Sequence, residues 1–316
     1  MEKKILIGIS SCLLGEPVRY DGGHKLDHFL TDTLSGFVEY VPVCPEFEAG
    51  FGVPREAMRL VDDPESPRLM TIKSGVDLTG RMNMWIRKKL PELEKRDLCG
   101  FVFKSGSPSS GMERVKVYDA KGAARKTGAG LFAKAFMERF PLLPVEDEGR
   151  LHDIGIRENF IARVFAFHRW KQQLAADRSP AAVIEFYARH KYLLMAHSPA
   201  MQKDMGKLVA RVKTMERGSF LGEFERLFMT ALKYHATVKK NANVLMHMSG
   251  YFRKRLSADE KQELADMIER YRQELIPLVV PVTMIRHYVR KYGEEYLAEQ
   301  YYLDPHPAEL KLRNHA

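Results

Sequence analysis

Residues 99–111, CGFVFKSGSPSSG, run a short apolar stretch straight into a loop of small, hydroxyl-bearing and turn-forming residues. GFVFKS (100–105) reads as a strand, and the loop that follows suits a phosphate cradle, a nucleophilic serine or a plain turn. Two further runs share this grammar. ILIGIS (5–10) is bounded by Ser11-Cys12, and FVEYVPV (37–43) stops at Cys44-Pro45. Between them lie segments of helical character, HKLDHFLTDTL (24–34) and TGRMNMWIRKKLPELEK (79–95), and later GLFAKAFMERF (130–140), which ends at Pro141. Strands separated by helices predict βαβ units, hence a Rossmann-like α/β domain with a mostly parallel sheet.

From about residue 155 the pattern changes. IRENFIARVFAFHRWKQQLA, PAAVIEFYARHKYLLMAH, LGEFERLFMTALKYHATVKKNANVLMHMSGYF and SADEKQELADMIERYRQEL carry apolar residues at three- and four-residue spacing, and Ser257 with Glu260 forms a capping-box signature. This half predicts an all-α domain. The acidic segment LLPVEDEGRLHD (142–153) is the expected boundary, giving an α/β domain over 1–150 and a helical domain over 151–316.

The chain has 316 residues, 45% of them apolar and 29% charged, and a net charge of +9. Residues 1–150 hold 23 Lys+Arg against 22 Asp+Glu, a balance of +1; residues 151–316 hold 27 against 19, a balance of +8. Such an excess serves a solvated helical surface, nucleic acid or another anion. No window reaches the ~20 apolar residues of a membrane span, and MEKKILIGIS reads as a first strand rather than a signal peptide. Three cysteines do not make a disulfide framework, so a reducing cytoplasm is expected.

Ligands of open α/β sheets bind outside the carboxyl ends of the strands. Three of the expected strands end there in Ser11-Cys12, Cys44-Pro45-Glu46 and Ser105 through Ser110. Two thiolates from different loops could share zinc or an iron–sulfur cluster. Yet there is no CxxC and two ligands do not complete a site, so on spacing alone Cys12 and Cys44 read as small buried apolar residues rather than metal ligands.

ISSCLLGEPVRYDGG, VPVCPE, PRE (54–56), FKSGSPSSG and TGAGLFA, in that order, resemble the thiouracil desulfidase (TudS) family through residues 1–150. RENFIARVFAF, FYARHKYLLMAHS and MGKLVA resemble the YbgA-like helical domain fused to it in the long form. The resemblance implies an enzyme that converts 2-thiouracil to uracil and hydrogen sulfide without net redox. It implies a [4Fe–4S] cluster held by three cysteines, with an open iron that takes the substrate's sulfur. Cys12 and Cys44 match the first two cluster ligands. Glu46 matches a carboxylate that moves protons, a task suited to a dry pocket; read alone it is a salt-bridged loop residue. Ser105 and Ser107 match serines that hold substrate or water, and read alone they are a strand-end cap and a turn residue.

Ser110 stands where the family carries its third cysteine. Its hydroxyl ionises far above neutral pH and its oxygen is a harder ligand than thiolate. Cys99 cannot replace it, because five or six strand residues at ~3.3 Å each put it at the strand's other end. The intact flanking motifs favour an engineered replacement over a natural one, and either way the chain is expected to be impaired as an enzyme.

Arg19, Tyr20 and Asp21 either face the pocket or pin its loop, and Arg55 pairs with a substrate carbonyl or with Glu46. Thr127-Gly128-Ala129-Gly130 opens a helix whose N-terminus could take an anion, though it lacks a nucleotide-binding pattern. His190 and His197 read as packed or surface histidines rather than zinc ligands. The expected partner is a small thiolated pyrimidine. The alternatives are an RNA-associated protein that reads thiolated bases through its basic half, and a zinc protein using Cys12 and Cys44.

Overall fold

A computed structural model describes residues 4–314, and the reading of Met1–Lys3 as the approach to a first strand lies outside them. The chain divides into two compact units, Met1–Asp153 and Ile154–Ala316.

The first unit contains two sheets. β1 (Ile5–Ser10), β2 (Val38–Val43), β5 (Gly100–Phe103) and β8 (Val145–Asp147) form one, in the order β2-β1-β5-β8 with every pairing parallel. β1 and β5 are its central strands, and β5 is buried at every residue. That explains why ILIGIS and GFVF read as continuous apolar runs rather than alternating ones. Pro42 is tolerated in β2 because that strand lies at the sheet edge, where a missing N–H breaks no ladder. Gly8 lets β1 approach β5, since a Cβ there would lie 2.2 Å from the Phe101 ring. α3 (Leu131–Arg139) supplies Phe132 and Phe136, which pack with Phe101 and Phe103, and α2 (Thr79–Glu94) supplies Trp85, which packs on Phe132.

The second sheet was not foreseen. β3 (Met58–Val61), β4 (Arg68–Thr71), β6 (Val115–Tyr118) and β7 (Ala124–Gly128) take the order β4-β3-β6-β7, with one parallel and two antiparallel pairings. Its strands are four or five residues long and their polar residues hide the alternation. The segment 24–34 also departs from expectation. Only a π-helical turn (Phe29–Thr33) and a 3-10 turn (Leu34–Gly36) form, around an Asp27 side chain that accepts from the Leu30 N–H.

The second unit is helical: α4 (Ile154–Ala176), α5 (Pro180–His197), α6 (Pro199–Ala210), α7 (Arg217–Lys233), α8 (Val238–Ser249), α9 (Ala258–Arg272), α10 (Val279–Tyr292) and the short α11 (Glu295–Ala298). Trp170, Phe186, Phe224 and Phe228 form its aromatic core, with the Trp170 and Phe224 ring centroids 4.7 Å apart. Ser179 and Ser198 cap α5 and α6, each followed by proline at the first helical position. The capping box of Ser257 and Glu260 is present. The stretch 221–252 is two helices, not one: Tyr234 turns extended, and Thr237 caps a new start. No helix among the described residues is long and apolar enough to cross a membrane.

Candidate active site

Three neighbouring parallel strands, β2, β1 and β5, end at a cavity of about 380 Å³. Cys12 follows β1 in a 3-10 turn closed by Gly15, whose φ of 90° favours glycine. Cys44 follows β2, just before α1 (Pro45–Glu48), which carries Glu46. Lys104 through Ser110 follow β5. All of these residues line the cavity, together with Arg19, Tyr20, Lys25 and Arg55. Parallel strands in register make this convergence automatic, because their carboxyl ends fall at one edge.

Both thiols are held in the protonated form. Burial pushes Cys12 up to about 11, with the Lys104 ammonium opposing and Cys44 adding to the rise. Burial also raises Cys44, whose Sγ lies 3.8 Å from the Val18 carbonyl. No disulfide joins the cysteines. Cys99 is buried ahead of β5, its N–H donating to the Leu6 carbonyl at 2.8 Å, at the end of the strand away from the cavity.

Glu46 is densely partnered. Arg55 donates to its Oε2 from Nη2 and, at 3.0 Å, from Nε. On the other oxygen, Ser109 Oγ donates at 2.7 Å and Ser107 Oγ at 3.3 Å. Arg55 is pinned in turn by the carbonyls of Val18 and Gly52 at 3.0 and 2.9 Å. Of the two readings of Arg55, pairing with Glu46 is therefore the one present.

The serines divide by task. Ser105 turns towards Glu148, which accepts from its N–H at 2.6 Å and from its Oγ at 2.7 Å and also pairs with Lys104. Ser107 Oγ accepts from the N–H groups of Ser109 and Ser110 at 3.3 and 3.1 Å, so it also closes the turn. Ser109 and Glu148 were missed in the sequence. Nothing local marks Ser109 among four loop serines, and Glu148 arrives just after β8, 43 residues after Ser105. Ser110 is buried at the cavity wall.

The loop is anchored from below by α3. The N–H groups of Gly130, Leu131 and Phe132 donate to the carbonyls of Gly111, Pro108 and Ser109 at 2.8, 3.2 and 3.0 Å. A Cβ on Gly130 would stand 2.4 Å from the Ser109 carbonyl carbon. Thr127–Gly130 is thus a seat for the serine loop rather than an anion site, because the helix's first donors are taken. Arg19 and Tyr20 reach the cavity, while Asp21 caps its own turn by accepting from the Gly23 N–H at 3.0 Å.

As a ligand set the cavity supplies two thiols and one hydroxyl, from Cys12, Cys44 and Ser110. The two sulfurs suit iron–sulfur chemistry and the hydroxyl does not. Among the described residues no group of three or more His, Cys, Asp or Glu is arranged to hold a metal ion. His190 and His197 are each buried in their own hydrogen bonds, to the Phe186 and Tyr234 carbonyls at 2.8 and 2.6 Å.

Comparison with known proteins divides the chain the same way. Residues 7–148 match the family model for 2-thiouracil desulfurase, and residues 191–307 match that for a protein of unknown function, DUF1722. The uncharacterized protein YbgA of Escherichia coli (strain K12) is 28% identical over 158 residues, spanning 50% of this chain and 94% of its own length. The uncharacterized protein YbbK of Bacillus subtilis (strain 168) is 28% identical over 134 residues, or 40% of this chain and 87% of the relative. A solved structure, the [4Fe-4S]-dependent thiouracil desulfidase TudS, is 29% identical over 48% of this chain and 95% of its own, with a TM-score of 0.38.

Proposed function

From the premise that this chain joins a domain of the 2-thiouracil desulfurase family to a DUF1722 domain, we propose that its first domain is built to desulfurate a thiolated pyrimidine in the cavity at the ends of β1, β2 and β5. The observation that carries this reading is the meeting of Cys12, Cys44 and Glu46 in one cavity. The reaction replaces a C=S bond by C=O: water adds its oxygen to the ring carbon, and sulfur leaves as hydrogen sulfide with the two protons.

Cys12 and Cys44 would hold an iron–sulfur cluster, with Ser110 as a weak third donor, and such a cluster would supply an acceptor for the departing sulfur. Binding must draw protons off both buried thiols, so loading releases acid. Glu46 Oε1 takes a proton from the attacking water and returns it towards sulfur. Ser109 and Ser107 aim that oxygen, and Arg55 keeps the carboxylate in place. Lys104 and Glu148 hold Ser105 at the rim. Ser110 leaves the chain impaired, because its hydroxyl does not supply thiolate charge to the third corner.

Anaerobic reconstitution of this chain beside a Ser110→Cys variant tests the proposal, reading iron, acid-labile sulfide and hydrogen sulfide release from 2-thiouracil. The variant is expected to gain both cluster and turnover. No change in either would refute the assignment of Ser110 to the third corner. A second reading, favoured by the +8 balance of residues 151–316, places the thiolated base within RNA. Binding that falls steeply with salt would support it, whereas a free base responds little.

A further inference from the structure

The helical domain has a cavity of its own, of about 140 Å³, walled by α4, α5, α8 and the end of α9. One water needs only ~15 Å³ of such space, so the cavity holds several waters or one small ring. Its wall includes His197 and Asn159, 3% and 8% exposed.

The break between α7 and α8 sets the chemistry of this wall. It frees the carbonyls of Leu232 and Tyr234, and both are taken by side chains. His197 Nδ1 lies 2.6 Å from the Tyr234 carbonyl, so that nitrogen carries the proton and Nε2 presents a lone pair. Asn159 Nδ2 donates to the Leu232 and Tyr234 carbonyls, both at 3.2 Å, which fixes the amide so that Oδ1 is the remaining group. Neither His197 Nε2 nor Asn159 Oδ1 has a hydrogen-bond partner among the described residues. Both acceptors line the cavity and are open to whatever occupies it, so N–H or O–H groups of an occupant would satisfy them.

Further along the wall, Arg313 Nε donates to Glu158 at 3.0 Å and Nη1 to the Tyr302 carbonyl at 2.6 Å. Arg313, Lys240 and Arg163 all place positive charge on His197, which disfavours a cation, while the free lone pairs of His197 and Asn159 disfavour an anion. Burial keeps His197 neutral, pushing it down to about 4, and Arg313 adds to that shift. Asn241 and Tyr271, 5% and 6% exposed, complete a polar belt, while Ala162, Leu193, Ala196 and Leu278 supply apolar walls. His235 and Glu274 lie exposed at its rim.

We propose that this cavity binds a small neutral ring carrying N–H beside C=O, the chemistry and size of a pyrimidine base or cyclic urea. The ring's N–H groups meet His197 Nε2 and Asn159 Oδ1, and its carbonyl meets Arg313. This site is separate from the cysteine cavity and does not depend on the chemistry proposed there.

The test uses the full chain, without iron, carrying isotope-labelled histidine. Uracil is titrated, with acetate and methylammonium as charged probes, while the His197 Nε2 resonance is followed. Uracil is expected to move that resonance by several parts per million in a saturable way, and the charged probes are not. Ala196→Leu, which fills the cavity, should abolish the response while helix content is retained. No response to uracil up to its solubility limit means water only and overturns the proposal. A response to acetate or methylammonium in its place, or an undiminished response in folded A196L, also overturns it. If A196L does not fold, the titration of the unaltered chain decides. Because the resonance belongs to His197, failure here is distinct from failure of the desulfidase reading.

Discussion

Single residues decide what the first cavity can do. Glu46 and Arg55 form a pair whose side chains are only 13% and 6% exposed. Glu46→Gln removes the carboxylate charge opposite a buried guanidinium, so the domain should lose about 3 kcal/mol in urea unfolding. In a Ser110→Cys background the same change should abolish hydrogen sulfide release while iron content is kept. Cys12 offers a pH test. Its folded value of about 11 lies above its ordinary 9.0, so the stability tied to the buried thiol is whole below pH 9 and drains as pH rises towards 11. Alkylation of Cys12 in metal-free protein should therefore climb through that window; a plateau already reached by pH 9 would contradict the burial argument. At this scale the sequence was legible where motifs named residues, as for Cys12, Cys44, Glu46 and Ser110. It was silent on Ser109 and Glu148, whose roles come only from hydrogen bonds to residues 63 and 43 positions away.

At the scale of elements, packing between α3 and the serine loop holds the site. Gly130→Ala forces a methyl group against the Ser109 backbone, and overpacking of this kind costs about 1–3 kcal/mol. The variant should lower the melting temperature and, in the Ser110→Cys background, reduce cluster loading; unchanged loading would show that the loop is held by other contacts. The capping box at Ser257 was readable because its signal spans only four residues. Ser257→Ala should cost the helical domain about 1 kcal/mol. The second sheet was not readable, since strands of four residues carry too little periodicity and gain their burial only when paired. The helical expectation for 24–34 failed for a related reason: Asp27 and Thr31 bond to nearby backbone groups and compete with a regular helix.

For the whole molecule, each unit has its own core and a tryptophan of its own. Trp85 packs against Phe132 in the first, and Trp170 is fully buried against Phe224 in the second. Trp170→Phe and Trp85→Phe variants therefore report one unit each, and their fluorescence should give different urea midpoints. Ser257→Ala should shift only the midpoint read through Trp170. A single shared midpoint, moved equally by S257A, would mean that the units unfold as one. The amino-acid sequence alone determined the two-part architecture, the parallel sheet and three strand ends bearing Cys12, Cys44 and the serine loop. Those features rest on local periodicity and turn chemistry, which act over a few residues. Tertiary structure alone decided which of those side chains meet: Arg55 with Glu46, Glu148 with Ser105, α3 beneath the loop, and His197 with Asn159 at a broken helix. Such pairings depend on burial and donor geometry across dozens of residues, where desolvation makes each unpaired group costly and no local pattern records the partner.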